Sequence, residues 1–284
     1  MIAALPPGHD ELLGSAVLRT CATYRLTPED LWRHVTSHPK GEKGILTNQW
    51  FTEFSQLFGM RRADLIKNHT LYPVSTAFVD AKRASHLVSP SNNHYRHFGT
   101  QRLLASANSR GLYRLFCNQC VLNEMARTGV SWWHRAHHVA LFPVCPFHNC
   151  FLQMSDALLL GTDLRMPNQC HGREIIFGTP PHILRVMGTL ITALLYSAKY
   201  DYLRRSRASI PSQLERQGVL SSWGVLNKRT FSLLRSQLPA QFWDESNGFS
   251  EPTVDTPWVL RHERQLAPKV LLLESARLIL RGHW

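Results

Sequence analysis

Two short motifs in this 284-residue chain carry residues that can do chemistry together. Cys117-Asn118-Gln119-Cys120 is a C-x-x-C knuckle, and Cys145-Pro146-Phe147-His148 is a C-x-x-H knuckle. With two residues between donors, a tight turn aims both side chains at one point. Three thiolates and one imidazole complete a tetrahedral shell around Zn2+ and leave no position for water, which marks a structural ion rather than a catalytic one. Two short knuckles separated by enough chain for a helix or hairpin match a treble-clef or zinc-ribbon layout. Closing such a shell contributes on the order of 10 kcal/mol of folding free energy. His134, His137 and His138 invite a second ion, with Cys150 and Cys170-His171 nearby. They lack a second knuckle, so one Zn2+ is expected and Cys150 is read as a free thiol beside it.

Several elements must position these donors. Leu12, Leu13, Ala16, Val17 and Cys21 recur at helical spacing, and Thr27-Pro28-Glu29-Asp30 starts a second helix, so residues 10–38 read as helix, break, helix. Cys21 falls on the apolar face and is read as core, and His34 and His38 as solvated. Trp50, Phe51, Phe54, Leu57 and Phe58 form an apolar stripe, Gly59 ends it, and Arg61 to Lys67 begins a basic helix: the outline of a helix-turn-helix. Between the knuckles a short helix over 121–127 turns at Gly129, and Trp132 and Trp133 are expected to pack over the metal. Residues 161–181, rich in Gly, Pro and polar residues, read as a linker. Beyond it come an amphipathic helix over 182–203 and a second helix-turn-helix candidate. There Pro211 starts a helix, Gly218 turns it, and a helix over 227–238 directs Phe231, Leu234 and Leu238 inward and Lys228, Arg229, Ser232 and Arg235 outward. A further apolar helix closes the chain over 268–280. The expected fold is therefore mainly α, with helix-turn-helix elements flanking a small treble-clef or zinc-ribbon-like domain. Its parts are a helical region over 1–115, the zinc motif over 116–160, a linker over 161–181 and a C-terminal helical region over 182–284.

The charge points to a polyanion. The formal net charge is +12, and 25 of the 32 basic residues are Arg, whose planar fork matches phosphate. The excess is local: residues 201–237 hold seven basic and two acidic residues, whereas 240–263 hold five acidic residues and one Arg. Candidate DNA contacts are Arg61, Arg62, Lys67, Arg135, Arg204, Arg205, Arg207, Lys228, Arg229 and Arg235, with Arg135 read as holding either backbone or phosphate. Six cysteines in a chain of this length do not make a secreted disulfide scaffold. The first residues carry Pro6-Pro7 and the acids Asp10 and Glu11, unlike a signal peptide, and the longest apolar run is too short to span a bilayer. A cytoplasmic protein is expected.

A resemblance accompanies these motifs. Cys117-x-x-Cys120, then Trp133-x-Arg135, then Pro143-x-Cys145-Pro146-x-His148 resembles the TniQ/TnsD family of transposon target-site selectors, as does the upstream run Asn68-His69-Thr70-Leu71-Tyr72-Pro73 with Phe78. Asn118, Ala140 and Asn149 depart from the family's usual Pro, Pro and Gly, and none is a proposed ligand. The resemblance implies a nucleoid-associated bacterial DNA-binding protein that recruits a transposase through an AAA+ regulator. Some members instead act as dimeric adaptors on an RNA-guided CRISPR effector complex, so a homodimer and that partner remain open.

An enzyme is the third class. The four-donor shell has no open position, and a zinc deaminase needs H-x-E with P-C-x-x-C, whereas His171-Gly172-Arg173-Glu174 has the wrong spacing and Phe116 precedes Cys117. With no phosphate-cradling loop or nucleophile elbow either, a non-enzyme is expected.

Overall fold

The computed structural model describes residues 4–35, 50–77, 113–139, 142–158, 163–174, 176, 178–196, 210–221, 226–238, 242 and 266–282. The chain is mainly helical with one small sheet. Helix α1 (Leu13–Tyr24) buries Leu13, Ala16, Val17 and Cys21 and stops at Arg25, which turns into the left-handed region at φ 53°. Helix α2 (Pro28–Val35) starts at a capping box: Asp30 N donates to Thr27 Oγ1 at 3.1 Å, and Thr27 N to Asp30 Oδ2 at 3.4 Å. Helices α3 (Trp50–Leu57) and α4 (Arg62–His69) follow, joined by Gly59 at φ +63°, where a side chain would be strained. Phe51, Phe54, Phe58, Leu65 and Ile66 close with α1 into an N-terminal apolar cluster, and α5 (Tyr72–Thr76) completes this half.

Strand β1 (Tyr113–Phe116) leads into helix α6 (Asn118–Thr128), which ends at Gly129 with φ +73°. A 3-10 turn spans Arg135–His138. Strands β2 (Gln153–Leu158) and β3 (Gly172–Glu174) add to β1 in the order β1-β2-β3, both pairs antiparallel. The expected linker over 161–181 is thus not free chain. It supplies β3, and Arg114 of β1, itself buried, donates to Asp163 O at 3.0 Å while Trp133 Nε1 donates to Arg165 O at 3.2 Å.

Helix α7 (His182–Tyr196) packs against elements from both halves of the described chain. The expected amphipathic pattern holds, with Arg185, Thr189 and Tyr196 exposed along one stripe, and burial reaches beyond the expected apolar face to Leu184 and Ile191. A helix apolar on most sides is stable only when covered on most sides. Here α4, α5, the 3-10 turn, α9 (Lys228–Gln237) and α10 (Leu266–Leu280) pack on it. A Cβ at Gly188 would sit 3.0 Å from Phe142 Cζ and 3.5 Å from Pro146 Cβ, so glycine lets α7 rest against the second knuckle. Helix α8 (Ile210–Arg216) reaches α9 through Gly218 at φ +72° and a bridge from Leu220 to Leu226. Residues of α5, the sheet, α7, α9 and α10 share one apolar cluster, so no separate C-terminal core exists among the described residues.

Candidate metal centre

The first knuckle forms where β1 becomes α6. Cys117 caps the helix in an extended conformation and Cys120 lies in its first turn, which swings both sulfurs to one side. The second knuckle is the tip of a loop closed by the bridge between Val144 and Phe151, with Asn149 N donating to Cys145 O at 2.8 Å. Asn149 takes φ 51°, the conformation that makes Asn a workable substitute for glycine there.

The four donor atoms of Cys117, Cys120, Cys145 and His148 lie within 4.8 Å of one another, the three cysteines buried and His148 half-buried. His148 Nδ1 is 3.5 Å from Cys117 Sγ, 3.3 Å from Cys120 Sγ and 3.6 Å from Cys145 Sγ, and Cys120 Sγ is 3.7 Å from Cys145 Sγ. A tetrahedron with metal–sulfur bonds of about 2.3 Å and a metal–nitrogen bond of about 2.0 Å has S···S edges near ~3.8 Å and S···N edges near ~3.5 Å. These edges fit such a tetrahedron, so the cluster can hold one metal ion. Thiols this close cannot all ionise without a cation among them, because thiolates at such short range repel one another. Hydrogen bonds from Cys120 and Cys145 hold the Cys117 thiol far below its usual range, and that same partner pushes both of them up. A cation at the centre resolves the competition by accepting all three sulfurs as thiolates. With the ion on Nδ1, His148 Nε2 bears its hydrogen, and the Asn123 side-chain amide 3.2 Å away accepts it only when turned so that Oδ1 faces the ring.

The remaining candidates sort by contact. Cys150 Sγ lies 3.4 Å from Cys117 Sγ, beside the shell as expected. His138 Nε2 accepts from Leu115 N at 3.3 Å. His134 sits between two carboxylates, its Nε2 paired with Glu124 Oε1 and its Nδ1 3.3 Å from Asp10 Oδ2. Burial by itself would lower the His134 pKa, but Asp10 and Glu124 outweigh it and raise it to about 9. Trp132 and Trp133 do not cover the sulfurs. Leu115 and Leu152 do, while Trp133 meets Phe116 edge to face and Trp132 Nε1 donates to His9 O at 3.0 Å. The Trp132 ring thus holds the N-terminal segment, and the Trp133 ring is packed among Phe116, His138 and Arg114 with Nε1 on Arg165 O.

Of the two roles expected for Arg135, backbone or phosphate, the structure shows the first, and its place among the candidate DNA contacts is corrected. Its side chain is 1% exposed, and no phosphate can reach it. Nε donates to Asp10 Oδ1 at 2.7 Å, Nη1 to Lys67 O at 2.6 Å and Nη2 to Leu195 O at 3.2 Å. The guanidinium thus ties the N-terminal segment, the end of α4 and the end of α7 together. Beside it, Glu11 is fully buried and accepts from Ser15 Oγ and Arg19 Nη2, both at 2.9 Å. Asp10, Glu11, Arg19 and Glu124 were missed by sequence reasoning. The available signal was weak: Glu124 stands four residues after Cys120, on the same side of α6.

A family model, TniQ, matches residues 3–152. The chain belongs to the TniQ family. The matched span encloses both knuckles and the contact between Asp10 and Arg135, and it ends at Leu152, which covers the sulfurs. TniQ is an accessory domain of transposition, so the family ties this chain to that process. No curated protein matches the chain. Among the described residues, no helix is long and apolar enough to cross a membrane.

The other basic candidates lie on the surface or outside the described residues. Arg61 is exposed and paired with Asp64 at 2.6 Å, Arg62 is half-buried, and Lys67 is exposed. Lys228, Arg229 and Arg235 are exposed on α9, with Arg235 over the Phe231 ring. Arg204, Arg205 and Arg207 lie outside the described residues.

Proposed function

We propose that this TniQ protein is a DNA-binding target-site selector of a multi-component transposon, stapled by one Zn2+ ion and recruiting an AAA+ regulator and, through it, the transposase. One observation carries the reading: the two-sided character of α9. Asn227 caps the helix by accepting from Thr230 N at 2.8 Å. Thr230, Leu234 and Leu238 are buried, while Lys228, Arg229, Ser232 and Arg235 are exposed. With α8 and the Gly218 turn before it, α9 reads as the second helix of a helix-turn-helix, the one that enters the major groove. Its cations neutralise phosphates and fix register, and Ser232 reaches base edges. Arg61 and Lys67 extend the basic surface on the N-terminal half. Tetrahedral edges between three sulfurs and one nitrogen support zinc as the ion. The protein acts on the nucleoid in the cytoplasm.

The test is a titration of target-region and random duplex DNA at several salt concentrations, comparing wild type with Lys228→Ala/Arg229→Ala. Losing two phosphate contacts lowers affinity and flattens the slope of log K against log salt by about 1.8. An unchanged slope rejects α9 as the contact. It would favour the alternative, a TniQ adaptor on an RNA-guided CRISPR effector complex, which binds duplex weakly and copurifies with effector proteins.

A further inference from the structure

We propose that His137 is a positioning residue of the metal centre: its Nε2–H is shared between two metal-bound sulfurs, one from each knuckle, without ligating the ion. The inference rests on the metal reading above. His137 is 1% exposed, with Nε2 at 3.4 Å from Cys145 Sγ and 3.7 Å from Cys120 Sγ. Its other ring nitrogen, Nδ1, is buried with no hydrogen-bond partner. A buried imidazole that leaves one nitrogen unsatisfied must be held through the other, and the atoms facing Nε2 are sulfurs.

Charge explains what this contact does. A divalent ion with three thiolates and a neutral imidazole carries one net negative charge, and a buried net charge needs donors around it. The third sulfur, Cys117 Sγ, has the Cys150 thiol at 3.4 Å, itself a weak donor. His137 supplies the stronger N–H to the other two and thereby links the knuckles. The set of atoms lying within 4.8 Å of one another includes His148 and excludes His137, which separates ligand from donor.

The experiment uses the full chain with His137→Phe, which keeps a ring but no donor, and His137→Gln, whose amide nitrogen reproduces Nε2–H. Each is loaded with Zn2+ or with Co2+ as a spectral probe. Metal content, the Co2+ ligand-field spectrum, Zn2+ affinity by chelator competition and the iodoacetamide alkylation rate of the Zn2+ form are measured. All three proteins should bind one equivalent with the same Co2+ spectrum. His137→Phe should bind Zn2+ ~10- to 100-fold more weakly and be alkylated faster, and His137→Gln should restore both. Wild-type affinity and alkylation in His137→Phe would overturn the proposal. So would a Co2+ spectrum that changes donor set in His137→Phe but not in His148→Ala, because His137 would then be the ligand. If His137→Phe does not fold, His137→Gln decides alone, and a folded Gln variant weakened more than tenfold overturns it. A wild-type chain that takes up no Zn2+ or Co2+ refutes the metal reading itself, an outcome distinct from a His137 failure with one equivalent bound.

Discussion

Replacing Arg135 by Ala separates two roles that a basic residue in a DNA-binding family can play. As a phosphate contact on the surface, its loss would weaken DNA binding and leave the fold unchanged. As built, Arg135 is buried and satisfies the Asp10 carboxylate, Lys67 O, Thr70 O and Leu195 O, with its guanidinium 5.0 Å from the Tyr196 ring centre. Removing it leaves a buried carboxylate whose remaining charged neighbour is His134 and strands carbonyls from two helix ends. Breaking a buried pair by deleting one partner costs about 3–5 kcal/mol. Against a total stability of roughly 5–15 kcal/mol, that is a large share. At ~2–4 °C per kcal/mol, Tm falls by roughly 6–20 °C. Circular dichroism melts of Arg135→Ala and Arg135→Lys measure it, and Lys should not rescue, because an ammonium cannot serve Asp10 and the separated carbonyls together. Asp10→Asn combined with Arg135→Met should recover part of the loss, since no unpaired charge remains. A wild-type melting curve for Arg135→Ala, together with weakened DNA binding, would refute this account of the residue.

Four other outcomes follow from the same geometry. Chelation, or Cys117→Ser, should remove the bound equivalent of metal and unfold the region of β1, α6 and the second knuckle, read by elemental analysis and circular dichroism; native melting without metal would refute the staple. His134 has a folded pKa raised from 6.5 to about 9, so its contribution is full below about pH 6.5 and disappears as pH rises through about 9. Urea midpoints at pH 6 and above pH 9 should differ by at most ~3 kcal/mol in stability, and His134→Gln should flatten that limb. At the acid end, burial would raise Asp10, but the His134 hydrogen bond and the charges of His134 and Arg135 hold it at about 2, so its share is lost as pH falls from 3.8 toward 2. Gly8→Ala places a Cβ 2.7 Å from the ring of Trp132, whose indole is fixed by His9 O, and should cost about 1–3 kcal/mol in a denaturant titration.

What the order of residues determined by itself is local. A C-x-x-C or C-x-x-H spacing sets the reach of two donors through one turn, and the four residues of the cluster that can hold a metal ion were legible from it. Thr27 with Asp30 at a helix start, and glycine at 59, 129 and 218, act within a few residues, so the helices they bound were legible too. Tertiary structure decided which polar residues meet across the chain. Asp10 and Arg135 pair over 125 positions, and no local pattern marks an arginine as internal when its partner lies that far away. The same holds for His134, His137 and His148, which look alike in the sequence. Only packing places one between carboxylates, one beside two sulfurs and one in the shell. Helix α7 makes the point for the core, because its pattern revealed an apolar face while the number of neighbours around it decided how much of the helix is buried.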